Sequence, residues 1–235
     1  MESLSFPEPL NGLVKGLERR SLINFYGEPG SGKTNICLLA ALDCARKDGR
    51  VLYIDSEGGF SVERFRQLTP EWKNLLERVN IVEPKTFEEQ GKLIRGLGKH
   101  DADLIIIDSM VALYRLEYAD RMNEKKSGKK EIDLVMEANR ELSKQLSLLS
   151  AVSREKNIPV LITTHTFRHW DKGTNELVGG DAMKYWSKTI VLLEKTGRMS
   201  ERRATVIKHR HVPELGQAKF DITQNGIKPS GFRIF

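Results

Sequence analysis

The sequence contains no apolar run that approaches the roughly 20 residues a membrane-spanning helix needs. Its first ten residues, Met1 to Leu10, carry two glutamates and two prolines in place of the basic start and apolar core of a signal peptide. We therefore expect neither secretion nor membrane insertion, and we predict a cytoplasmic protein without a membrane partner.

Cysteine is nearly absent, with only Cys37 and Cys44 in the chain. They lie seven residues apart in a predicted helix, which is two turns and about 10 Å of rise, too far for a disulfide. No further cysteine or histidine stands near them in the sequence, so a zinc site is not predicted. Both are predicted to be small apolar core residues in a reducing compartment.

The charge balance is only moderately basic, with 38 Lys and Arg against 32 Asp and Glu, a net charge of +6. The excess is concentrated in two stretches, Arg121 to Lys130 and Lys195 to Arg210, and each contains a single acid. Such stretches suit a polyanionic partner, and they are equally typical of solvated loops.

Short apolar segments alternate with amphipathic ones, which is typical of strands alternating with helices. Leu104–Asp108 is aliphatic up to its last residue, as expected of a strand buried on both faces of a parallel sheet. From Thr189 onward, three strands follow with hardly any helix between them, which predicts antiparallel pairing at one edge. We predict one α/β domain over residues 1–235, with a mostly parallel sheet flanked by helices, antiparallel C-terminal edge strands and a short N-terminal extension over residues 1–20.

The expected elements have the following bounds. Strands are predicted at Ser21–Tyr26, Val51–Asp55, Val79–Glu83, Leu104–Asp108, Pro159–Thr163, Thr189–Glu194, Arg203–Lys208 and Lys219–Thr223. Helices are predicted at Lys33–Lys47, Ser61–Leu68, from Pro70 onward, Thr86–Leu97 and Glu131–Lys156. Loops or arms are predicted at Arg115–Lys130 and Phe167–Gly180.

Between the first strand and the first long helix, eight residues match the phosphate-binding pattern G-x-x-x-x-G-K-S/T. The glycines let backbone N–H groups turn inward around phosphate oxygens, and the helix N-terminus adds its positive dipole. Lys33 would reach the β- and γ-phosphates and the Thr34 hydroxyl would hold Mg²⁺. The alternative is a glycine-rich turn with nothing bound. The eight residues are Gly27, Glu28, Pro29, Gly30, Ser31, Gly32, Lys33 and Thr34.

Two carboxylates are predicted to complete this site. Asp108 ends the aliphatic strand and would orient Mg²⁺ through water. Ser109 follows it where many ATPases carry the acid that polarises the attacking water, so that acid must come from elsewhere. Glu57 is the candidate, because it follows the strand Val51–Asp55 and precedes Gly58-Gly59. The alternative for Glu57 is a solvated loop acid.

These elements, in this order, resemble the RecA family, and most closely its archaeal and eukaryotic recombinase branch. The resemblance covers nearly the whole chain, and within the branch the chain is most similar to a short archaeal paralogue. It implies a RecA-like P-loop NTPase core that binds ATP and Mg²⁺. The residues that carry it are Gly27 to Leu68, including Asn35-Ile36-Cys37, Tyr53 to Phe60 and Glu63-Arg64, together with Asp108-Ser109, Ala112 to Arg115 and Gly179-Gly180.

The resemblance also implies roles for single residues. Arg64 would stack on the adenine, and Asn35 would belong to the nucleotide site. His165 would replace a glutamine that reads the γ-phosphate, which places it with Glu57 and Lys33 among the catalytic residues. A strand-end histidine with a purely structural role is the alternative for His165.

The family's DNA-binding loops map to Arg115–Lys130 and Phe167–Gly180. Basic residues beside an aromatic one suit single-stranded nucleic acid, where phosphates meet charge and bases stack. Trp170 would supply the stacking, and its alternative role is local packing. The expected basic DNA-binding residues are Arg115, Arg121, Lys125, Lys126, Lys129, Lys130, Arg168 and Lys172, with Lys208 and Arg210 as a further group at the antiparallel edge.

Departures from the family pattern limit the expected activity. A full recombinase carries an N-terminal DNA-binding domain and a linker motif that inserts into its neighbour, whereas only about 20 residues precede the first strand here. We therefore expect a monomer or small oligomer with weak, DNA-dependent ATP hydrolysis. Its expected role is that of an accessory protein in homologous recombination and DNA repair, which implies recombination or repair proteins as further partners.

Two other functions fit the same motifs. The chain could be a non-catalytic interaction module that uses ATP as a conformational ligand. It could also be a different P-loop enzyme, such as a clock-type signalling ATPase or a small-molecule kinase. A GTPase is disfavoured because the guanine-reading pattern Asn-Lys-x-Asp is absent from the sequence.

Overall fold

The computed structural model describes residues 3–123, 131–168 and 175–231. Six parallel strands form the centre of its sheet: β1 (Leu22–Gly27), β2 (Val51–Asp55), β3 (Val79–Val82), β4 (Leu104–Asp108), β5 (Val160–Arg168) and β7 (Ser187–Lys195). They lie in the order β3-β2-β4-β5-β1-β7. Each step between neighbouring strands needs a crossover, and the intervening helices supply it.

Antiparallel strands extend the sheet beyond β7. These are β8 (Glu201–Lys208), β9 (Gln217–Thr223) and β10 (Gly226–Pro229), each paired with the strand before it. A short strand β6 (Asn175–Leu177) pairs antiparallel with the end of β5. The predicted fold class, a mostly parallel α/β sheet with antiparallel C-terminal edge strands, is therefore confirmed.

Helices cover both faces of the sheet. One face carries α1 (Leu10–Val14), α2 (Lys33–Arg46), α3 (Val62–Leu68) and α4 (Trp72–Leu76), whose apolar side chains share a core with Phe25 and Tyr53. The other face carries α5 (Phe87–Gly96), α6 (Ala112–Asn123), α7 (Glu131–Lys156) and α8 (Gly180–Trp186), packed over Ile105 and Ile162. A 3₁₀ turn, Leu97–Lys99, follows α5.

The segment before β1, expected as an extension, contributes to the core. Leu4, Phe6 and Leu10 are each at most 4% exposed, and the ring of Phe6 meets that of Phe25 edge to face at 5.5 Å. The backbone N–H of Ser5 donates to the Asp43 carboxylate at 2.8 Å, which ties the segment to α2. The short N-terminal segment therefore helps to cover the helix that follows the phosphate-binding loop.

The structure corrects the expected loop at Arg115–Lys130. Its first part belongs to α6, so that Arg115 and Arg121 lie on a helix. Residues 112–123 contain neither glycine nor proline, and Leu113 and Tyr114 bury the helix against α5 and α7. Residues 124–130 lie outside the described part of the chain.

The expected loop at Phe167–Gly180 is also more regular than predicted. β5 continues to Arg168 because β6 returns beside it, pairing Phe167 with Glu176. α8 then carries the chain across the sheet, so that β7 joins β1 in parallel before β8 reverses direction. No sequence pattern indicated α1 or β10, and α4 begins at Trp72, two residues later than expected.

Candidate functional site

The phosphate-binding loop leaves the carboxyl end of β1 and enters α2. Gly27 must be glycine because a Cβ there would lie 2.2 Å from the Leu193 carbonyl oxygen on β7. Gly30 and Gly32 have φ values of +74° and +101°, which only glycine adopts without strain. The loop thus turns its backbone toward the first turn of α2, as an anion-binding loop requires.

Lys33 lies within this loop. Its Nζ donates to the carbonyl oxygens of Gly27 at 3.0 Å and Glu28 at 3.1 Å, and the residue is 6% exposed. Burial lowers the pKa of the Lys33 amine, while the charges of Glu57 and Asp108 act in the opposite direction. The loop therefore holds a buried cation whose present partners are neutral carbonyls, which phosphate oxygens can replace.

Asp108 lies at the end of β4, only 2% exposed. Its carboxylate accepts hydrogen bonds from the Thr163 hydroxyl at 2.5 Å and from the Tyr53 hydroxyl at 3.0 Å. Burial raises the pKa of Asp108, although hydrogen bonds from Thr163, Thr34 and Tyr53 favour the ionised form. The Thr34 hydroxyl therefore lies beside this carboxylate, as the sequence predicts for a shared metal site.

The Thr34 hydroxyl and the Asp108 carboxylate are suitable ligands for Mg²⁺. Hydroxyl and carboxylate oxygens are the ligands that this ion prefers, and it usually takes its remaining ligands from phosphates and water. Within the described ranges, no group of three or more His, Cys, Asp or Glu side chains could hold a metal by itself. A Mg²⁺ site that takes its remaining ligands from a nucleotide is consistent with the oxygen ligands of Thr34 and Asp108 and with the lack of such a group.

Glu57 is held in place by the carboxylate of Asp55, the last residue of β2. Asp55 accepts the backbone N–H groups of Glu57, Gly59 and Phe60 at 3.2, 3.1 and 2.8 Å, so that the loop wraps around it. Ser56 joins the loop to β4, because its hydroxyl donates to the Ser109 carbonyl at 2.5 Å. The loop that carries Glu57 is therefore fixed beside Asp108.

His165 reaches the same point from β5. Its Nε2 lies 2.5 Å from Oε1 of Glu57, and its Nδ1 is buried without a partner among the described residues. Burial alone would raise the pKa of Glu57, but the hydrogen bonds of His165 and Ser109 and the charges of His165 and Lys33 lower it below the usual value. Glu57 is thus an ionised carboxylate next to the phosphate-binding loop.

Strand register explains why these residues meet. Gly27 pairs with His165, and Asp55 pairs with Asp108, so the carboxyl ends of four neighbouring strands lie at one edge of the sheet. Arg64 approaches from α3 and contacts Asn35 in the first turn of α2. The structure therefore brings the expected nucleotide-site residues together.

Sequence reasoning missed three residues that support the site: Tyr53, Asp55 and Thr163. The sequence contained a signal that could have identified Tyr53 and Thr163, because alternate residues of a strand share a face. Tyr53 therefore lies on the face of Asp55, and Thr163 lies on the face of His165.

The comparisons with known proteins agree with this geometry. A family model described as Rad51 matches residues 8–230. The chain belongs to the Rad51 family.

Relatives within this family cover almost the whole chain. A DNA repair and recombination protein RadB from Methanococcus maripaludis is 41% identical over 223 residues, which are 94% of this chain and 96% of the relative. Proteins of the same name from Methanoculleus marisnigri and Methanobrevibacter smithii are 39% and 34% identical, over 96% and 92% of this chain and 95% and 91% of their own lengths. A solved structure described as the crystal structure of the RadB recombinase has 29% identity and a TM-score of 0.78, covering 97% of this chain and 100% of the other.

Three of the residues expected in the family's DNA-binding loops are described, and they lie on elements at the carboxyl end of the sheet. Arg115 is exposed on α6, Arg121 follows on the same helix, and Arg168 ends β5. The other expected residues of these two loops lie outside the described part of the chain. They are Lys125, Lys126, Lys129, Lys130, Trp170 and Lys172.

Lys208 and Arg210 lie at the opposite end of the sheet. Lys208 pairs with Ile190 near the start of β7, because β8 runs antiparallel to it. Ile190 in turn pairs with Asn24, three residues before the carboxyl end of β1, so Lys208 lies about 10 Å from that end and Arg210 lies farther from it. The described members of the expected DNA-binding set therefore lie on two separate surfaces.

At the amino end of the parallel strands, further basic side chains lie near Lys208 and Arg210. A cavity of about 320 Å³ is lined by Arg20, Arg154, Lys188 and Arg210, together with the side chain of Tyr185, which is 68% exposed. We call Arg20, Arg154, Lys188, Lys208 and Arg210 the amino-end basic surface. Sequence reasoning could not assemble it, because four separate segments of the chain contribute.

The charges of this surface repel one another. The pKa of Lys208 is lowered by burial first, then by the charges of Lys188 and Arg210. Glu18 pairs with Arg210 at 3.0 Å, whereas no carboxylate of the described residues pairs with Lys188 or Lys208. Clustered cations of this kind favour a polyanion.

No helix among the described residues is long and apolar enough to cross a membrane.

Proposed function

We propose that this chain is an ATP- and DNA-binding accessory protein of homologous recombination and DNA repair, with weak DNA-dependent ATP hydrolysis. One observation carries the proposal. In a Rad51-family chain, the buried Lys33 lies in a phosphate-binding loop beside Asp108 and Glu57. We also propose that it acts in the cytoplasm.

In the proposed nucleotide site, the loop binds the phosphates, and the residues at the strand ends contribute to the metal site. Backbone N–H groups of residues 27–34 bind the phosphates, and the Lys33 ammonium exchanges its carbonyl partners for phosphate oxygens. Thr34 and Asp108 would hold Mg²⁺, which neutralises phosphate charge when it is bound. Tyr53 and Thr163 orient the Asp108 carboxylate.

Hydrolysis depends on Glu57. As an ionised carboxylate it accepts a hydrogen bond from the attacking water and takes its proton. His165 contacts Oε1 of Glu57, so water competes with His165 for this oxygen. This competition supports slow turnover.

DNA binding is proposed for both basic surfaces, through phosphates and with little base preference. Single-stranded DNA is the proposed partner of the loop Phe167–Gly180, because its sequence combines basic residues with Trp170, which could stack on a base. Recombination or repair proteins are the proposed protein partners. We expect a monomer or small oligomer, and light scattering with ATP and DNA at micromolar protein would contradict this if it detected extended polymers.

The contact between His165 and Glu57 also favours a second candidate function, a module that uses ATP as a conformational ligand without hydrolysing it. Phosphate release with and without single-stranded DNA separates the two. Stimulation by DNA supports the accessory ATPase, and ATP binding without turnover supports the module.

Lys33→Ala tests the nucleotide site directly. Mg-ATP at a hundredfold excess over Kd should stabilise the parent by about 2.7 kcal/mol, on the order of 5–10 °C in Tm. Lys33→Ala should lose this shift, while Lys99→Ala, which changes an exposed lysine outside the loop, should keep it. An unchanged shift in Lys33→Ala would overturn the assignment.

A further inference from the structure

Two glutamine side chains are fully buried between the helices α5 and α7. Gln90 lies on α5 and Gln145 on α7, and the buried faces of both helices otherwise consist mainly of apolar residues, Ile94 and Leu142 among them. Nε2 of Gln90 donates to Oε1 of Gln145 at 3.0 Å. Because a buried amide costs free energy unless its hydrogen bonds are made, the surroundings of this pair must supply further partners.

Hydrogen bonds extend from the pair in two directions. Toward the sheet, Nε2 of Gln90 also donates to the backbone carbonyl of Met110 at 3.3 Å, just after β4. Toward the surface, Nε2 of Gln145 donates to Oε1 of Glu141 at 3.2 Å, and the same oxygen accepts a bond from Nη1 of Arg95 at 3.0 Å. The pair therefore connects a half-buried ion pair to the backbone at the carboxyl end of the sheet.

The backbone that the pair reaches is the segment that carries the expected metal ligand. Met110 follows Asp108 by two residues, and Ser109 lies between them. Ser109 is joined twice to Ser56, because its N–H donates to Oγ of Ser56 at 2.9 Å and its carbonyl accepts from the Ser56 hydroxyl at 2.5 Å. Ser56 in turn precedes Glu57. A displacement of Met110 would therefore be passed to both carboxylates of the nucleotide site.

The chain keeps this arrangement at a cost. Oε1 of Gln90 is buried without a partner among the described residues, which is unfavourable. Gly91 lies within α5, where glycine is less favourable than alanine, and a Cβ there would lie 2.7 Å from Oε1 of Glu141 and 2.9 Å from Nε2 of Gln145. Since an apolar pair of the same shape can be as stable as a hydrogen-bonded one, stability alone does not explain the two glutamines.

We propose that Gln90 and Gln145 are positioning residues of the nucleotide site, which fix the backbone from Asp108 to Met110 and so keep the Asp108 carboxylate where Mg²⁺ is bound. Both act through the backbone rather than by contact with the ligand. They reach the site from the face of the sheet opposite α2. The proposal rests on the proposed nucleotide-binding function and extends the metal site to the helical layer behind the sheet.

The double variant Gln90→Met with Gln145→Met tests the proposal. Methionine is unbranched and fills irregular gaps in a core, but it has no amide. Calorimetric titration of the full chain with ATP should be made in Mg²⁺ and again in EDTA. In Mg²⁺ the variant should bind ATP about tenfold more weakly than the parent, the lower end of the effect of groups that orient metal ligands. In EDTA its affinity should equal that of the parent, because the phosphate-binding loop is unchanged.

Ser153→Ala is the matched control. It removes another buried hydrogen bond from α7, to the Ile158 carbonyl at 2.7 Å, near the amino end of β5. This variant should be less stable than the parent in urea, yet its ATP affinity should be unchanged in Mg²⁺ and in EDTA. A loss of stability by itself therefore does not produce the expected result.

Glu141→Ala keeps the proposal testable if the double variant does not fold. Its side chain is half-buried, so its removal leaves the core intact while Gln145 and Arg95 lose an acceptor. ATP binding should weaken about two- to tenfold in Mg²⁺, the effect of one hydrogen bond, and remain unchanged in EDTA.

Each failure has a distinct meaning. Equal weakening in Mg²⁺ and in EDTA, or unchanged affinity in Mg²⁺, would overturn the positioning role. A parent whose ATP affinity does not depend on Mg²⁺ would overturn it as well and leave the phosphate-binding loop standing. If the parent binds ATP in neither condition, the proposed nucleotide function falls and the positioning role falls with it.

Discussion

Oε1 of Glu57 lies 2.5 Å from Nε2 of His165, where the loop after β2 meets β5. This single contact joins the expected general base to the expected γ-phosphate sensor. We expect a γ-phosphate that draws His165 away from Glu57 to make this carboxylate oxygen available to water. On the proposed function, the contact would then connect nucleotide binding to hydrolysis.

Glu57→Gln should retain Mg-ATP binding and lose ATP turnover. The amide can still contact water and His165, but it cannot accept a proton. Phosphate release and a thermal shift, measured on the same preparation, check both parts. Glu63→Gln, which changes an exposed acid on α3, serves as the control and should hydrolyse ATP as the parent does. Normal turnover in Glu57→Gln would mean that another group is the base.

Asp108→Asn should stabilise the ligand-free chain at neutral pH. Burial raises the pKa of Asp108 in the folded state, so the ionised carboxylate costs stability at every pH above that raised value. Below the unfolded-state pKa, near ~3.9, both states are protonated and the cost is absent. The gain in Tm should therefore be present at pH 7 and shrink as the pH falls toward 4.

Thermal melts in EDTA between pH 4 and pH 8 measure this dependence. Asp120→Asn, an exposed substitution on α6, should show no comparable gain. A gain in Asp108→Asn that does not change with pH would rule out ionisation as its cause.

Phe6→Ala should destabilise the fold by about 3–5 kcal/mol, because it removes a ring that is buried at 4% exposure against Phe25. Urea unfolding measures the loss. Val62→Ala, at a site that is 45% exposed, should change stability by less than about 0.5 kcal/mol. A change in Phe6→Ala as small as that control would mean that the N-terminal segment is not part of the cooperative core.

DNA binding should be salt-dependent through two surfaces that can be separated. Changing Lys125, Lys126, Lys129 and Lys130 together to Ala removes charge from the segment between α6 and α7. Changing Lys188, Lys208 and Arg210 together removes it from the amino-end basic surface. Each variant should flatten the plot of log affinity for single-stranded DNA against log salt by about 0.7 for every phosphate that the removed side chains neutralise in the parent.

Fluorescence anisotropy with labelled oligonucleotides at several salt concentrations gives the slopes. Trp170→Ala should weaken binding by about 1–3 kcal/mol with little change in slope, since stacking involves no counterion release. If a variant keeps the parent's affinity and slope, the surface changed in that variant does not bind DNA. If both charge variants bind as the parent does, neither surface binds DNA, and the function as a protein-interaction module becomes the favoured one.

Motifs with local causes were predictable from the sequence. The glycine pattern from Gly27 to Gly32 and the capping residues Ser61 and Thr86 depend on neighbouring residues, and the structure has both side chains accepting the expected backbone N–H groups. Leu104–Asp108 has the continuous aliphatic composition expected of a buried strand, and it lies fully buried in the parallel part of the sheet. These features predicted the fold class and placed the nucleotide site at the strand ends.

Long-range pairing decided the rest. The sequence by itself determined that β2 and β4 end at Asp55 and Asp108, because local pattern sets the ends of these strands, whereas β5 continues to Arg168 through its pairing with β6. Only strand order and register could place His165 beside Gly27, and only the return of β9 could bring its carbonyls to Arg64. The amino-end basic surface likewise requires residues 20, 154, 188 and 210 to converge, and residues so far apart in sequence share a surface only after the sheet has formed.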